Sequence, residues 1–83
     1  MRVAICDDDN FCRAQVLDIA TDYAEERKDK DVVFELFSEP EALLRATREN
    51  GNFDIYILDI VMPGMNGIEL GQALRDDGVD SKI

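Results

Sequence analysis

Three short runs rich in apolar and β-branched residues, RVAIC at 2–6, VVFELF at 32–37 and FDIYIL at 53–58, punctuate this chain. Apolar runs of that length, bounded by polar or turn residues, are buried strands. Between them the apolar spacing changes. Cys12, Val16, Ile19, Ala20 and Tyr23 recur at helical spacing, which predicts a helix to about Arg27, capped by Asp9 or Asn10. Ser38 and Glu41, with Pro40 in the first turn, fit a capping box that opens a second helix. That helix runs through Ala42, Leu43, Leu44 and Ala46 to a left-handed cap at Asn50-Gly51. Asn66 caps a third helix through Ile68, Leu70, Ala73 and Leu74, ending at Gly78. The order is βαβαβα without an internal repeat. Strands that alternate with helices pair in parallel through right-handed crossovers, so the fold class is an α/β layered sheet.

The length of 83 residues allows one domain, near the lower limit for a useful core. An apolar content of 46% argues against disorder, while no apolar run is long enough to span a membrane. The N-terminus lacks the features of a signal peptide, and a cytoplasmic location is expected. Cys6 and Cys12 are too few for a disulfide framework or a zinc site, and read as packing residues. Without histidine, imidazole ligation and histidine acid–base catalysis are excluded. The net charge of −10 is a poor footprint for nucleic acid or an anionic membrane. It suits a divalent cation or a basic partner.

Two of the three strands finish in aspartate, the first at Asp7-Asp8-Asp9 and the third at Asp59. In an open parallel sheet, ligands bind beyond the carboxyl ends of the strands. If the two strands are neighbours, at least three carboxylates crowd one edge and attract a cation. For an all-oxygen donor set, Mg2+ or Mn2+ is the natural choice. Each aspartate taken singly is accounted for as a cap or turn residue; two clusters at the same edge favour a site. A carboxylate beside such a metal is a candidate nucleophile, able to take a phosphoryl group as an aspartyl-phosphate.

The segments VAICDDD and YILDIVMPGMNGIEL together resemble the receiver domain of bacterial two-component response regulators, and the likeness covers the whole chain. The wording of both segments is most similar to regulators that carry a LytTR-type DNA-binding domain. The resemblance implies a flavodoxin-like (CheY-like) parallel sheet, with strand order 2-1-3 for the three strands present. It implies that Asp59 is the phosphoacceptor, receiving its phosphoryl group from a sensor histidine kinase or a small phosphodonor. Asp8 becomes the direct Mg2+ ligand, Asp7 its acidic partner, and the backbone carbonyl of Val61 a further ligand. Met62 and Pro63 shape the loop after Asp59, and Gly67 lies where it opens into the third helix. Phe11, Ala14 and Val16 fall where receivers dock kinases, although periodicity puts several of them in the core.

Family receivers have a hydroxyl residue ending a fourth strand and a lysine ending a fifth, and neither has a counterpart among these 83 residues. Ser81-Lys82-Ile83 reads as the first step of a fourth strand. Residues 1–83 therefore read as one truncated receiver domain without an output domain, a self-catalysed phosphoacceptor rather than a turnover enzyme. Phosphoryl transfer is expected to be impaired. The third strand is expected to be an exposed edge that pairs with a second copy or leaves the chain marginally stable. Direct binding to nucleic acid is not expected. A haloacid-dehalogenase-type phosphatase is excluded, because its second aspartate would fall at Val61. A non-phosphorylated interaction module with a vestigial acidic pocket is the alternative function.

Overall fold

The structure is a computed structural model that describes residues 1–28, 31–60, 62, 64–81 and 83. Its elements are β1 (Arg2–Cys6), α1 (Asn10–Glu26), β2 (Val33–Phe37), α2 (Pro40–Asn50), β3 (Ile55–Leu58) and α3 (Gly67–Asp76). The strands form one parallel sheet in the order β2-β1-β3, as the alternation of strands and helices predicts. The central strand β1 buries Val3 to Cys6 on both faces, which is why its sequence is continuously apolar.

The core lies on the sheet face covered by α2 and α3. Ala4 and Cys6 of β1 and Tyr56 of β3 join Leu43, Leu44, Phe53, Leu70, Leu74 and Val79 in one cluster. Full burial of each Leu or Phe side chain contributes about 1.5–3 kcal/mol. Phe53 stacks edge-on against Phe37 and Tyr56, with centroids 5.9 and 5.5 Å away. The Arg2 guanidinium lies 4.2 Å over the Phe53 ring and pairs with Glu35 at 3.1 Å, closing the far end of the sheet. Tyr56 is buried because its hydroxyl is satisfied: it accepts from the Phe53 amide and bonds to Thr47 Oγ1, both at 3.1 Å. β3 starts at Ile55 rather than at Phe53: the Phe53 amide goes to the Tyr56 hydroxyl, and the Asp54 amide already donates to the Arg2 carbonyl at 2.8 Å.

Two local expectations are corrected. The second helix has no Ser38–Glu41 capping box. A residue before proline is held extended, so Glu39 (φ −136°, ψ 136°) is the N-cap and the helix starts at Pro40. Glu41 then falls at the second helical position, one short of where a box requires it. The second correction concerns α1, which forms over the expected range but buries none of its residues. Phe11 and Ile19 are each 71% exposed and Tyr23 60%, Cys12 and Ala14 are exposed, and Val16 and Ala20 are half-buried. Periodicity identifies residues that share a face, not whether anything covers that face. Here α1 stands over the sheet and leaves a cleft of about 740 Å3, lined by Val3, Ala20, Tyr23, Ala24, Ile55 and Ile57 among others. At the other end of the chain, Ser81 and Ile83 belong to no strand, and Lys82 lies outside the described residues. No described helix is long and apolar enough to cross a membrane.

Candidate functional site

The parallel register brings the carboxylates together. Cys6 pairs with Leu58 across β1 and β3, so the next residue of each strand, Asp7 and Asp59, comes off the sheet side by side. The ladder continues one step beyond the strands. The Asp59 amide donates to the Cys6 carbonyl at 3.0 Å, and the Asp7 amide donates to the Phe37 carbonyl of β2 at 3.1 Å. Both nominal strand ends are thus fixed by main-chain bonds before any side chain acts.

Asp7, Asp8 and Asp59 each place a carboxylate oxygen so that all three lie within 4.8 Å of one another. Their exposures are graded: Asp7 is buried, Asp59 half-buried and Asp8 exposed. Asp7 Oδ1 also accepts the Asp9 amide at 2.9 Å, which fixes the turn leading out of β1. Asp9, the third aspartate of the run, is not in the cluster. Its Oδ1 accepts the amides of Phe11 at 2.8 Å and Cys12 at 3.1 Å, making it the N-cap of α1. The sequence left Asp9 or Asn10 open for that role, and the geometry assigns it to Asp9.

In the loop after Asp59, Met62 is buried in the core cluster, and Cys6 Sγ donates to its sulfur at 3.9 Å. Gly67 begins α3 and donates its amide to the Ile60 carbonyl at 3.2 Å. Asn66 caps α3 through a full capping box with Glu69, where the sequence had indicated only the cap. Val61 and Pro63 lie outside the described residues.

The field of the acidic cluster is felt by both thiols. Burial, reinforced by Asp7, Asp59 and Asp8, pushes the Cys6 thiol up to about 11, with Arg13 acting the other way. On the exposed Cys12, the Asp9 carboxylate is the main cause of an upward shift, followed by partial desolvation and the Asp7, Asp59 and Asp8 charges. Neither thiol is activated as a nucleophile.

Sequence reasoning missed Arg13. Its Nη1 donates to the Asp7 carbonyl at 2.7 Å, and its Nη2 donates to Asn10 Oδ1. A signal existed. Long side chains on a helix lean back toward its N-terminus, so an arginine one turn into α1 reaches the loop that precedes it.

Three carboxylates supplying only oxygen suit a hard divalent cation, and the donor set present fits one. The family model described as the response regulator receiver domain matches residues 3–83. The transcriptional regulatory protein CiaR of Streptococcus pneumoniae is 26% identical over all 83 residues, which is 33% of its own length. Among solved structures, a CheY-like receiver domain protein from Methanospirillum hungatei has 25% identity and a TM-score of 0.69, with 93% of this chain and 55% of that one covered. The response regulator TrrA of Thermotoga maritima, solved in complex with Mg(2+)-BeF, has 29% identity and a TM-score of 0.65, with 99% of this chain and 64% of that one covered. The chain therefore spans a third of CiaR and just over half to under two thirds of these two structures. In fold, in the placing of its acidic cluster and in its match to the family model, the chain belongs to the response regulator receiver domains of two-component systems.

Proposed function

We propose that Asp59 is the residue on which this receiver domain accepts a phosphoryl group, delivered by the phosphohistidine of a sensor kinase, with Asp7 and Asp8 holding Mg2+ beside it. The observation that carries this reading is the convergence of the Asp7, Asp8 and Asp59 carboxylates within 4.8 Å at the carboxyl edge of β1 and β3. One Asp59 carboxylate oxygen attacks phosphorus while the donor's N–P bond breaks and the departing imidazole takes up a proton from solvent, giving an acyl phosphate on Asp59 and a neutral imidazole on the kinase. When bound, Mg2+ neutralises the charge on the transferring phosphoryl oxygens. The chain's own contribution is placement. The Asp59 amide is tied to Cys6, Asp7 is set between β2 and its own turn, and Asp8 is open to solvent for the incoming group. The Val61 carbonyl completes the proposed ligand set. Phe11 and Ala14, both exposed on the first turns of α1, are offered as kinase contacts.

The test is titration with Mn2+ or Mg2+, followed by prolonged exposure to a small phosphodonor. The wild-type chain should bind the ion, and Asp8→Ala and Asp59→Asn should lose it. Intact mass should show one phosphoryl adduct that is absent in Asp59→Asn. An adduct that persists in Asp59→Asn, or ion binding indifferent to both substitutions, overturns the reading.

A second reading, an interaction module built on self-association, is favoured by one observation. Ile60 and Ile68 are 62% and 69% exposed and line one groove with Leu58 of β3.

A further inference from the structure

The Arg13 guanidinium makes two contacts that bracket the acidic loop. Nη1 donates to the Asp7 carbonyl, and Nη2 donates to Asn10 Oδ1 at the start of α1. Between these two anchors lie Asp8 and Asp9. Asp9 is itself pinned, by capping α1 and by donating its amide to Asp7 Oδ1. Arg13 in turn is fixed to this loop by its own amide, which donates to the Asp9 carbonyl at 2.9 Å. Among the described residues Asp8 alone in this loop has a side chain with no hydrogen bond or ion pair, and it is also the exposed member of the cluster. Its carboxylate direction is therefore set by how rigidly Asp7 and Asn10 are held on either side. A planar guanidinium suits this task, because its fork grips two acceptors in a fixed relation, whereas an ammonium is a point charge.

From this geometry we infer that Arg13 is a positioning residue for the cation pocket: its fork holds the Asp7–Asn10 loop so that the Asp8 carboxylate stays aimed at the Asp7–Asp59 pair. The inference rests on the reading of the pocket given above and goes beyond it. The sign of the effect separates positioning from simple charge. Arg13 is a cation near a cation site, so on charge alone its removal would tighten metal binding. Loss of positioning loosens it. Partners that orient metal ligands typically matter about tenfold or more in affinity.

The experiment is Mn2+ titration followed by electron paramagnetic resonance, on wild type, Arg13→Ala, Arg13→Lys and Asn10→Ala. Circular dichroism on the same samples confirms equal helix content. Arg13→Ala and Arg13→Lys should both weaken Mn2+ binding about tenfold. Asn10→Ala removes one acceptor while leaving the Asp9 cap intact, and should weaken binding to a lesser degree. Should Arg13→Ala unfold the chain, Arg13→Lys and Asn10→Ala still decide the question. Unchanged or tighter binding in a folded Arg13→Ala, or wild-type affinity in Arg13→Lys, overturns the inference. Wild-type chain that binds no Mn2+ at all instead overturns the reading of the pocket itself, so the two failures are distinct.

Discussion

Gly67 packs against the main chain of Asp59 so closely that a Cβ at position 67 would lie 2.2 Å from the Asp59 carbonyl oxygen and 2.8 Å from its carbonyl carbon. The requirement is steric, since both obstacles are backbone atoms that no rotamer change can move. The first turn of α3 thus rests directly on the segment that carries the candidate nucleophile.

Gly67→Ala should accordingly displace either α3 or Asp59. Overpacking of this kind costs about 1–3 kcal/mol, visible as a lowered thermal midpoint. A shift that moves Asp59 also weakens Mn2+ binding. Gly51→Ala is the useful control. A Cβ there meets nothing within 4 Å, although the glycine's φ of +94° is strained for alanine. It should lower stability without altering ion affinity.

The features legible in the sequence were those decided by local pattern. The apolar runs fixed the strands, and an aspartate directly after two of them placed Asp7 and Asp59 at one edge once the sheet was parallel. What escaped depends on geometry between distant residues. Gly67 reads as a loop residue until Asp59 is found beneath it, and Arg13 reads as a surface charge until the loop before α1 curls under its side chain. The exposed stripe of α1 is the converse case. Its spacing is correct for a helix, but burial is a property of the neighbours and not of the helix.

The two thiols should differ in reactivity and in their effect on stability. Native protein treated with iodoacetamide should be modified at the exposed Cys12 and not at the buried Cys6, with both modified in urea. Even Cys12 should react slowly at neutral pH, because the neighbouring Asp9 carboxylate disfavours its thiolate. Peptide mapping of the alkylated chain checks the order.

For Cys6 the folded value of about 11 exceeds the 9.0 of an ordinary thiol. The native state therefore holds this proton more tightly than the unfolded state. Its contribution is fully present below pH 9.0 and is lost as pH rises toward the folded value. Urea midpoints should fall across that window, and less steeply in Cys6→Ala. Parallel slopes for the two proteins would exclude Cys6 as the source.

Phosphoryl transfer should be slow even where Asp59 is well placed. Among the described residues, those lining the small cavity beside Asp59 are Ile5, Cys6, Asp7, Val16, Ile57, Leu58 and Ile60, with no lysine and no serine or threonine hydroxyl. None of these described residues offers such a donor to the transferring oxygens, and loss of one such donor typically costs about 100-fold or more in rate. Time courses of intact mass with a small phosphodonor should show labelling at least about 100-fold slower than in a receiver that supplies them. Labelling at the rate of such a receiver would mean that other groups take over the task.

The outer edge of β3 should mediate self-association. Among the described residues β3 pairs only with β1, so its other edge has no strand partner, and the exposed Ile60 and Ile68 share a groove with Leu58 of β3. An exposed apolar edge is a template for pairing with another chain. Sedimentation velocity should show a weight-average mass that rises with concentration, and Ile68→Glu should return it to the monomer value. Ionic strength gives a second sign. With a net charge of −10, two copies repel, so salt that screens this repulsion should strengthen association. A contact held by surface ion pairs would respond in the opposite direction. A monomer at all concentrations, with a sharp thermal transition, would show instead that β3 tolerates its open edge.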